Sequence, residues 1–320
     1  MDELWTPASA IERCPPLDTG DIEKILRSFF LNHRSRLTAK AYLTAAREFF
    51  ALFRDEVNAP ADLRRHHVIA YKSWLESRRQ APKTILKKLS GVSSLCRFLA
   101  EAGLLDRDIT YGVSRPEAQN QRETGDLPDE DVRRLLAAID PKSYAAASHR
   151  AILSVLFHNG PRSREVRELR IKDQGTVRGI RVLRFHIKGD RLHEQPLHPV
   201  AITAIEEHLA VLRQRGFQID DPGHVLFPSL KTGRNVPMSD EAIRYIFKTA
   251  LARAGIGQDS FRRYSPHSGR ATFTGHLLDT VGAPLEDVQA ALGHRNSRTT
   301  QGYNKRKKAH EKSVVFRVGY

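Results

Sequence analysis

The residues best suited to chemistry lie in the last fifth of the chain. Ser265-Pro-His-Ser-Gly-Arg270 sets His267 and Arg270 three positions apart, Leu292-Gly-His294 follows, and Tyr303 comes nine residues later. Arginine and histidine can neutralise the charge that builds on a phosphate under attack. A tyrosine hydroxyl can be the attacking nucleophile when such groups stabilise it as it loses its proton. Two further cations belong with this set by type: Arg162 in Gly160-Pro-Arg-Ser-Arg-Glu165, and Lys188 in Lys188-Gly-Asp190. Taken singly, each has an ordinary explanation: a helix-terminal arginine, a capping or core histidine, a packing tyrosine, a solvated turn lysine. Taken in this order they point to a phosphodiester site. The chain has fourteen histidines, but no His-x-x-x-His pair with an adjacent acidic ligand occurs in this stretch, so neither a metal nor another cofactor is expected.

The composition agrees with such a substrate. Fifty-two Lys and Arg against thirty-seven Asp and Glu give a formal charge of +15, which favours an acidic polymer, most simply nucleic acid, as partner. At 320 residues with 40% hydrophobic content, two domains or one large one are expected. No run approaches the length of a membrane span, and the acidic stretch from Met1 to Gly20 does not read as a secretory signal. Cys14 and Cys96 stand in unrelated contexts, which suggests a reducing, cytoplasmic compartment.

These residues need elements to position them. Helical spacing begins at Asp21 (Ile22, Ile25, Leu26, Phe29), and a second helix is expected with Thr38 as its cap. A third is expected from His67 and a fourth from Pro82 to Gly103, with Lys83, Lys87 and Lys88 on its polar side. Pro82 to Arg97 contains no acidic residue, so this face reads as a phosphate contact rather than a merely solvated one. Phe49, Phe50, Phe53, Trp74 and Phe98 are expected in the core of this bundle. Residues 112–126 lack an apolar period and read as a linker, placing a first domain at 1–115, the linker at 116–126 and a second domain at 127–320. In the second domain, Leu127 opens a helix, His149 to Asn159 forms an apolar one, and Asp173 to Gly179 reads as a turn. Ile180 to Ile187 alternates as a strand. Lys188-Gly189-Asp190 then turns into a second strand through Leu192 and Leu197, closed by Pro199. Helices are expected over 201–212 and 240–254, with loops between them.

The signature, in fixed order along the whole chain, resembles the tyrosine recombinases, or phage-integrase family. The resemblance implies a mainly α fold: an N-terminal core-binding, SAM-like helical bundle, then a mixed α/β catalytic domain, mostly helical with a small antiparallel sheet. Arg162 falls at the family's first catalytic arginine and Glu165 at its supporting acidic position. Lys188 falls at the hairpin lysine, His267 and Arg270 at the His-x-x-Arg element, His294 at the second histidine and Tyr303 at the nucleophile. Pro161 stands where leucine is usual, and Ser268, Gly269 and Ala271 replace the common Asp, Leu and His; none of these changes removes a catalytic group.

The implied reaction is attack by Tyr303 on a DNA phosphorus, giving a 3′-phosphotyrosyl link that needs no ATP or metal to reseal. Arg162 and Arg270 would clamp the non-bridging oxygens, Lys188 would protonate the departing 5′-oxygen, His267 would accept the tyrosine proton or hold the phosphate, and His294 would donate to a phosphoryl oxygen. Arg36, Lys40, Lys83, Lys87, Lys88, Arg244, Lys305 and Arg306 are candidates for DNA contact. The implied assembly is a tetramer on two sites of double-stranded DNA, proceeding through a Holliday junction. The tail over 304–320 would reach a neighbouring subunit, and a partner recombinase or an accessory DNA-bending protein could take part. A bacterial, nucleoid-associated protein is implied. A type IB topoisomerase shares the chemistry, and a noncatalytic DNA-binding protein shares the fold. The separate first domain and short tail favour recombination over the former, and the complete residue set disfavours the latter.

Overall fold

Apolar residues three and four apart give α1 (Ile22–Leu31) one buried stripe of Ile25, Leu26 and Phe29. The computed structural model describes residues 22–117, 123–140, 143, 145–187, 189, 191–257 and 262–293. The chain divides into two compact units, 1–120 and 121–320. Among the described residues no helix is long and apolar enough to cross a membrane.

In the first unit, α2 (Arg36–Leu52) is capped by Ser35, whose hydroxyl accepts the Thr38 backbone N–H at 3.4 Å. The sequence suggested Thr38 itself as the cap. Thr38 instead lies in the first turn, where its N–H is one of the orphan donors that a cap must satisfy. Helix α3 (Arg65–Ser77) starts two residues earlier than expected. Helix α4 (Pro82–Glu101) opens on Pro82, where a missing N–H costs nothing, and Gly103 follows its end at φ 72°. The helices meet over Phe49, which has Phe53 and Tyr71 edge-on at 5.4 and 5.3 Å. Phe50 and Phe53 are buried, and Trp74 and Phe98 pack partly buried against the same core. Gly91 lets α4 cross α2 closely, since a Cβ there would lie 3.1 Å from that of Ala45. The segment after α4 is fastened down rather than free. Arg65 donates to the Gly112 carbonyl, Lys72 to Ser114, and Arg115 to Ser90 and Ser93.

The second unit begins by pairing. Its strand β1 (Glu123–Thr124) runs parallel to β5 (Arg262–Arg263), and the Gly125 N–H donates to Arg263. Residues 123–125 of the expected linker are thus part of a sheet; a two-residue parallel pair has no local signature. Helix α5 (Asp129–Ala137) carries three acids in its first turn, where they favour the helix dipole. Helix α6 (Ala146–His158) is buried on nearly every side, followed by the short α7 (Ser163–Arg167). Strands β2 (Gln174–Val177), β3 (Ile180–Ile187) and β4 (Arg191–Pro196) form an antiparallel sheet in that order.

Strand β2 corrects the expectation of a turn from Asp173 to Gly179. It is a short edge strand with no apolar alternation, formed by its pairing to β3, and only Arg178 and Gly179 turn. Both have positive φ (48° and 81°), as tight hairpins require. Pro199 does not close β4 but opens α8 (Pro199–Gln214), and Leu192 is exposed. Helices α9 (Asp240–Arg253) and α10 (Pro266–Gly275) follow. A π-helical turn (His276–Val281) then leads to α11 (Leu285–Leu292). This is the expected mainly helical chain, with a helical bundle and a mixed unit bearing a small antiparallel sheet.

Candidate active site

The loop after α6 and the end of α11 meet at Arg270, which lies on α10 of the second unit. The buried α6 ends at Asn159, and the chain reverses at Gly160, whose φ of 64° suits glycine. A Cβ at Gly160 would lie 2.5 Å from the Phe273 ring, so this reversal sits directly on α10. Arg162 follows at the N-cap of α7. Glu165 fastens it twice: one carboxylate oxygen accepts the Arg162 backbone N–H at 2.8 Å and the other accepts Nη1–H at 2.6 Å. The Glu165 side chain is 6% exposed and that of Arg162 is 38%, so the carboxylate forms a buried foot under a guanidinium that reaches solvent. Glu165 thereby caps the helix and orients the cation.

Arg270, on α10, is 1% exposed, a whole guanidinium inside the protein. Its Nη1 donates to the Gly160 carbonyl at 2.8 Å and its Nη2 to the Leu292 carbonyl at 2.9 Å. One side chain therefore ties α10 to the loop before Arg162 and to the end of α11, two residues before His294. Gly269 permits this depth, because a Cβ there would lie 2.9 Å from the Leu156 carbonyl oxygen. His267, in the first turn of α10, is exposed at the surface, yet the surrounding protein partly desolvates its ring. That desolvation, with the cations Arg270 and Arg162 nearby, lowers its pKa from the usual histidine value, and Glu165 partly opposes the shift. Arg162, Glu165, His267 and Arg270 thus form one electrostatic cluster.

The β3–β4 hairpin closes another side. Ile187 pairs with Arg191 across the connection that contains Lys188. The hairpin grips the end of α11: His193 Nε2–H donates to the Ala291 carbonyl at 2.9 Å, and Arg191 to that of Gly293 at 3.3 Å. Gly293 has φ 64°, and a Cβ there would meet His193 and Ile187 at 3.1 Å. Lys188, His294, Tyr303, Lys305 and Arg306 lie outside the described residues, as does the tail over 304–320. The sequence reading missed Asn159, Arg191, His193 and Gln195, which join these elements. Asn159, a polar residue closing the apolar run of α6, carried the one available signal; Arg191, His193 and Gln195 lie in a strand that is mostly polar.

The candidate DNA contacts lie on both units. Arg36 and Lys40 rim a cleft of about 830 Å³ between α1 and α2, together with Lys24, Arg27 and Arg47. Lys83 and Lys87 are exposed on α4, and Arg244 on α9. Lys88 differs, because its ammonium donates to both Glu48 oxygens at 2.7 Å, and Tyr71 donates to the same carboxylate at 2.6 Å. Among the described residues one cluster brings metal-type ligand atoms together: Glu56, His66 and His67, in the first unit. It suits a metal poorly. The Arg64 backbone N–H donates to His67 Nδ1, so the neutral ring carries its proton on Nε2, the atom facing Glu56.

Residues 126–310 match the family model described as "Phage integrase family", and residues 23–103 match "Phage integrase, N-terminal SAM-like domain". The tyrosine recombinase XerC of Neisseria meningitidis serogroup C is 30% identical over 281 residues, covering 85% of this chain and 86% of the relative. The tyrosine recombinase XerD of Vibrio cholerae is 31% identical over 235 residues, 73% of this chain and 74% of the relative. Among solved structures, the XerH recombinase bound to a palindromic difH substrate superposes with a TM-score of 0.71 at 16% identity, over 98% of this chain and 85% of that one. A lambda integrase tetramer bound to a Holliday junction gives 0.61 at 16%, over 94% and 78%. At such identities the superpositions speak for the fold. The matched sequence carries the family: this chain belongs to the phage integrase family and is a tyrosine-type site-specific recombinase, an enzyme that works through a phosphotyrosyl intermediate.

Proposed function

We propose that Tyr303 is the nucleophile and that Arg162, Lys188, His267, Arg270 and His294 serve its reaction with a phosphodiester of duplex DNA. The tyrosine oxygen bonds to phosphorus, and the bond from phosphorus to the 5′-oxygen breaks. Lys188 supplies the proton that the departing oxygen takes, and His267 accepts the one the tyrosine loses. The lowered pKa of His267 supports this role, since the ring is then neutral and able to accept near pH 7. Arg162 and Arg270 hold the non-bridging oxygens, His294 donates to one of them, and Glu165 orients Arg162. The phosphotyrosyl bond conserves the energy of the broken one, so the 5′-hydroxyl of a second strand can reverse the step without ATP or a metal ion. The observation that carries this reading is the convergence of Arg162, Glu165, His267 and Arg270 around the Gly160 reversal.

Two such exchanges pass through a Holliday junction, held by four copies on two DNA sites, with the tail over 304–320 reaching a neighbour. A partner recombinase or accessory DNA-bending protein joins where the site demands it, in a nucleoid-associated setting. The unit before residue 116 clamps DNA through Arg36, Lys40, Lys83 and Lys87, and the unit from residue 127 adds Arg244, Lys305 and Arg306. Lys88 serves DNA only where it leaves Glu48. Suicide DNA substrates nicked beside candidate phosphates, drawn from the repeats flanking the host element, test the core of this reading. Wild type forms a covalent adduct on a denaturing gel and Tyr303→Phe forms none. An adduct that persists in Tyr303→Phe removes Tyr303 from the role.

A further inference from the structure

The cleft between α1 and α2, about 830 Å³ in volume, combines two chemistries. Lys24 and Arg27 of α1 and Arg36 and Lys40 of α2 line it together with Phe30 and Leu43, two half-buried apolar side chains. Glu23, the acid among the described lining residues, is paired with Arg47 at 2.9 Å, so the cleft keeps a net positive charge. The phosphates of a duplex use only the cations, because an apolar floor offers them no donor. A polypeptide segment that sets acids beside large apolar residues uses both.

The chain carries such a segment next to the cleft. Residues 1–21 lie outside the described residues, and their sequence sets Asp2-Glu3 beside Leu4-Trp5, Glu12 beside Ile11 and Asp18 beside Leu17. They hold five acids and one base, so the remainder of the chain has a formal charge of +19 against +15 for the whole. The segment joins α1 at Ile22, and Lys24 and Arg27 stand in the first two turns of that helix, so it leaves the chain beside the cleft. Trp5 precedes Ile22 by seventeen residues. A chain of that length reaches about 20–25 Å, which holds Trp5 near the cleft at an effective concentration on the order of millimolar.

We propose that this cleft is the docking site of the chain's own residues 1–21, with Trp5 on Phe30 and Leu43 and the acids against the four cations, and that the docked segment competes with DNA. The competition rests on the reading of Arg36 and Lys40 as DNA contacts. A chain otherwise this basic is drawn to duplexes of every sequence. A tethered segment whose effective concentration exceeds its dissociation constant about 10-fold weakens all DNA binding about 10-fold. Binding to a cognate site, tighter by about 10³ or more, survives that loss.

The test combines fluorine NMR of full-length protein labelled with 5-fluorotryptophan and binding to duplex DNA of arbitrary sequence. The chain has two tryptophans, and Trp5→Ala assigns their signals. In DNA-free protein the Trp5 signal should lie away from its position in the isolated 1–21 peptide, at every protein concentration. Added duplex should move it to the peptide position. Trp5→Ala leaves the net charge unchanged, so charge alone predicts no effect on DNA; loss of the docked segment predicts affinity about 10-fold higher. Leu43→Ser should raise affinity likewise, and the double variant should add nothing further. A Trp5 signal at the peptide position without DNA overturns the docking site. A signal that shifts with protein concentration places the segment on a second copy and overturns the intramolecular assignment. A docked signal that DNA leaves in place, with Trp5→Ala binding DNA as wild type does, overturns the competition and the reading of Arg36 and Lys40, while the docking site stands.

Discussion

Arg270→Lys should cost folding stability as well as cleavage, whereas Arg162→Lys should cost cleavage alone. Arg270 bonds two backbone carbonyls on separate segments, Gly160 and Leu292, from a position 1% exposed. A lysine keeps the charge but brings a single ammonium on a flexible stem, and it cannot span both carbonyls in the guanidinium's fork geometry. One buried carbonyl then loses its donor, at about 1–3 kcal/mol. The more strongly hydrated ammonium adds to the penalty, for a total of about 3 kcal/mol. In a unit of this size each kcal/mol lowers the melting temperature by about 2–4 °C, so Arg270→Lys should melt roughly 6–12 °C below wild type. The Arg162 side chain is 38% exposed and its partner Glu165 remains satisfied by a lysine, so Arg162→Lys should melt within about 2 °C of wild type while losing its paired donors to the phosphate. Differential scanning calorimetry of the full chain, paired with single-turnover cleavage, separates the two cases. An Arg270→Lys protein that melts with wild type would show that the carbonyl bonds carry no stability, and would refute the hub role.

Two further outcomes follow from buried and exposed polar groups. His208 donates from Nε2 to the Leu226 carbonyl and lies 2.9 Å from Ser148 Oγ through Nδ1, fully enclosed, and burial holds its pKa down to about 4. Its unfolded value is 6.5, so its contribution is complete above pH 6.5 and drains away as pH falls towards 4. The loss is about 1.4 kcal/mol per pH unit, about 3 kcal/mol in all. Urea unfolding at several pH values should show that slope in wild type and a shallower one in His208→Gln; identical slopes would remove His208 as the cause. Lys87→Ala should weaken DNA binding and reduce its salt slope by about one unit. Lys88→Ala should instead lower the stability of the first unit, because Glu48 then loses its cation at a half-buried position. Filter binding over a salt series and a thermal melt distinguish them, and matching effects of the two variants on DNA would contradict the assignment of Lys88 to Glu48.

Much of the molecule is written in local patterns. The apolar stripe of α1, Pro82 opening α4 with Gly103 beyond its end, and the alternation of Ile180 to Ile187 are signals among near neighbours in sequence. Helices and hairpins form from such neighbours. The order of arginine, lysine, His-x-x-Arg, histidine and tyrosine is likewise a property of the sequence, and it is enough to name the chemistry.

What the tertiary structure alone decided are the arrangements whose partners are far apart in the chain. Strand β2 exists because β3 offers it a ladder, and the pairing of β1 with β5 spans more than a hundred residues and leaves no mark on either segment. Lys88 looked like its neighbours Lys83 and Lys87 until the fold set Glu48 and Tyr71 beside it. The sequence marked Arg270 as a candidate phosphate ligand, but its grip on Gly160 and Leu292 was not legible, and neither was the amide link between Asn159 and Gln195. A residue's type states which bonds it can make. Which carbonyl stands within reach, and whether water is excluded there, depends on segments that only folding brings together.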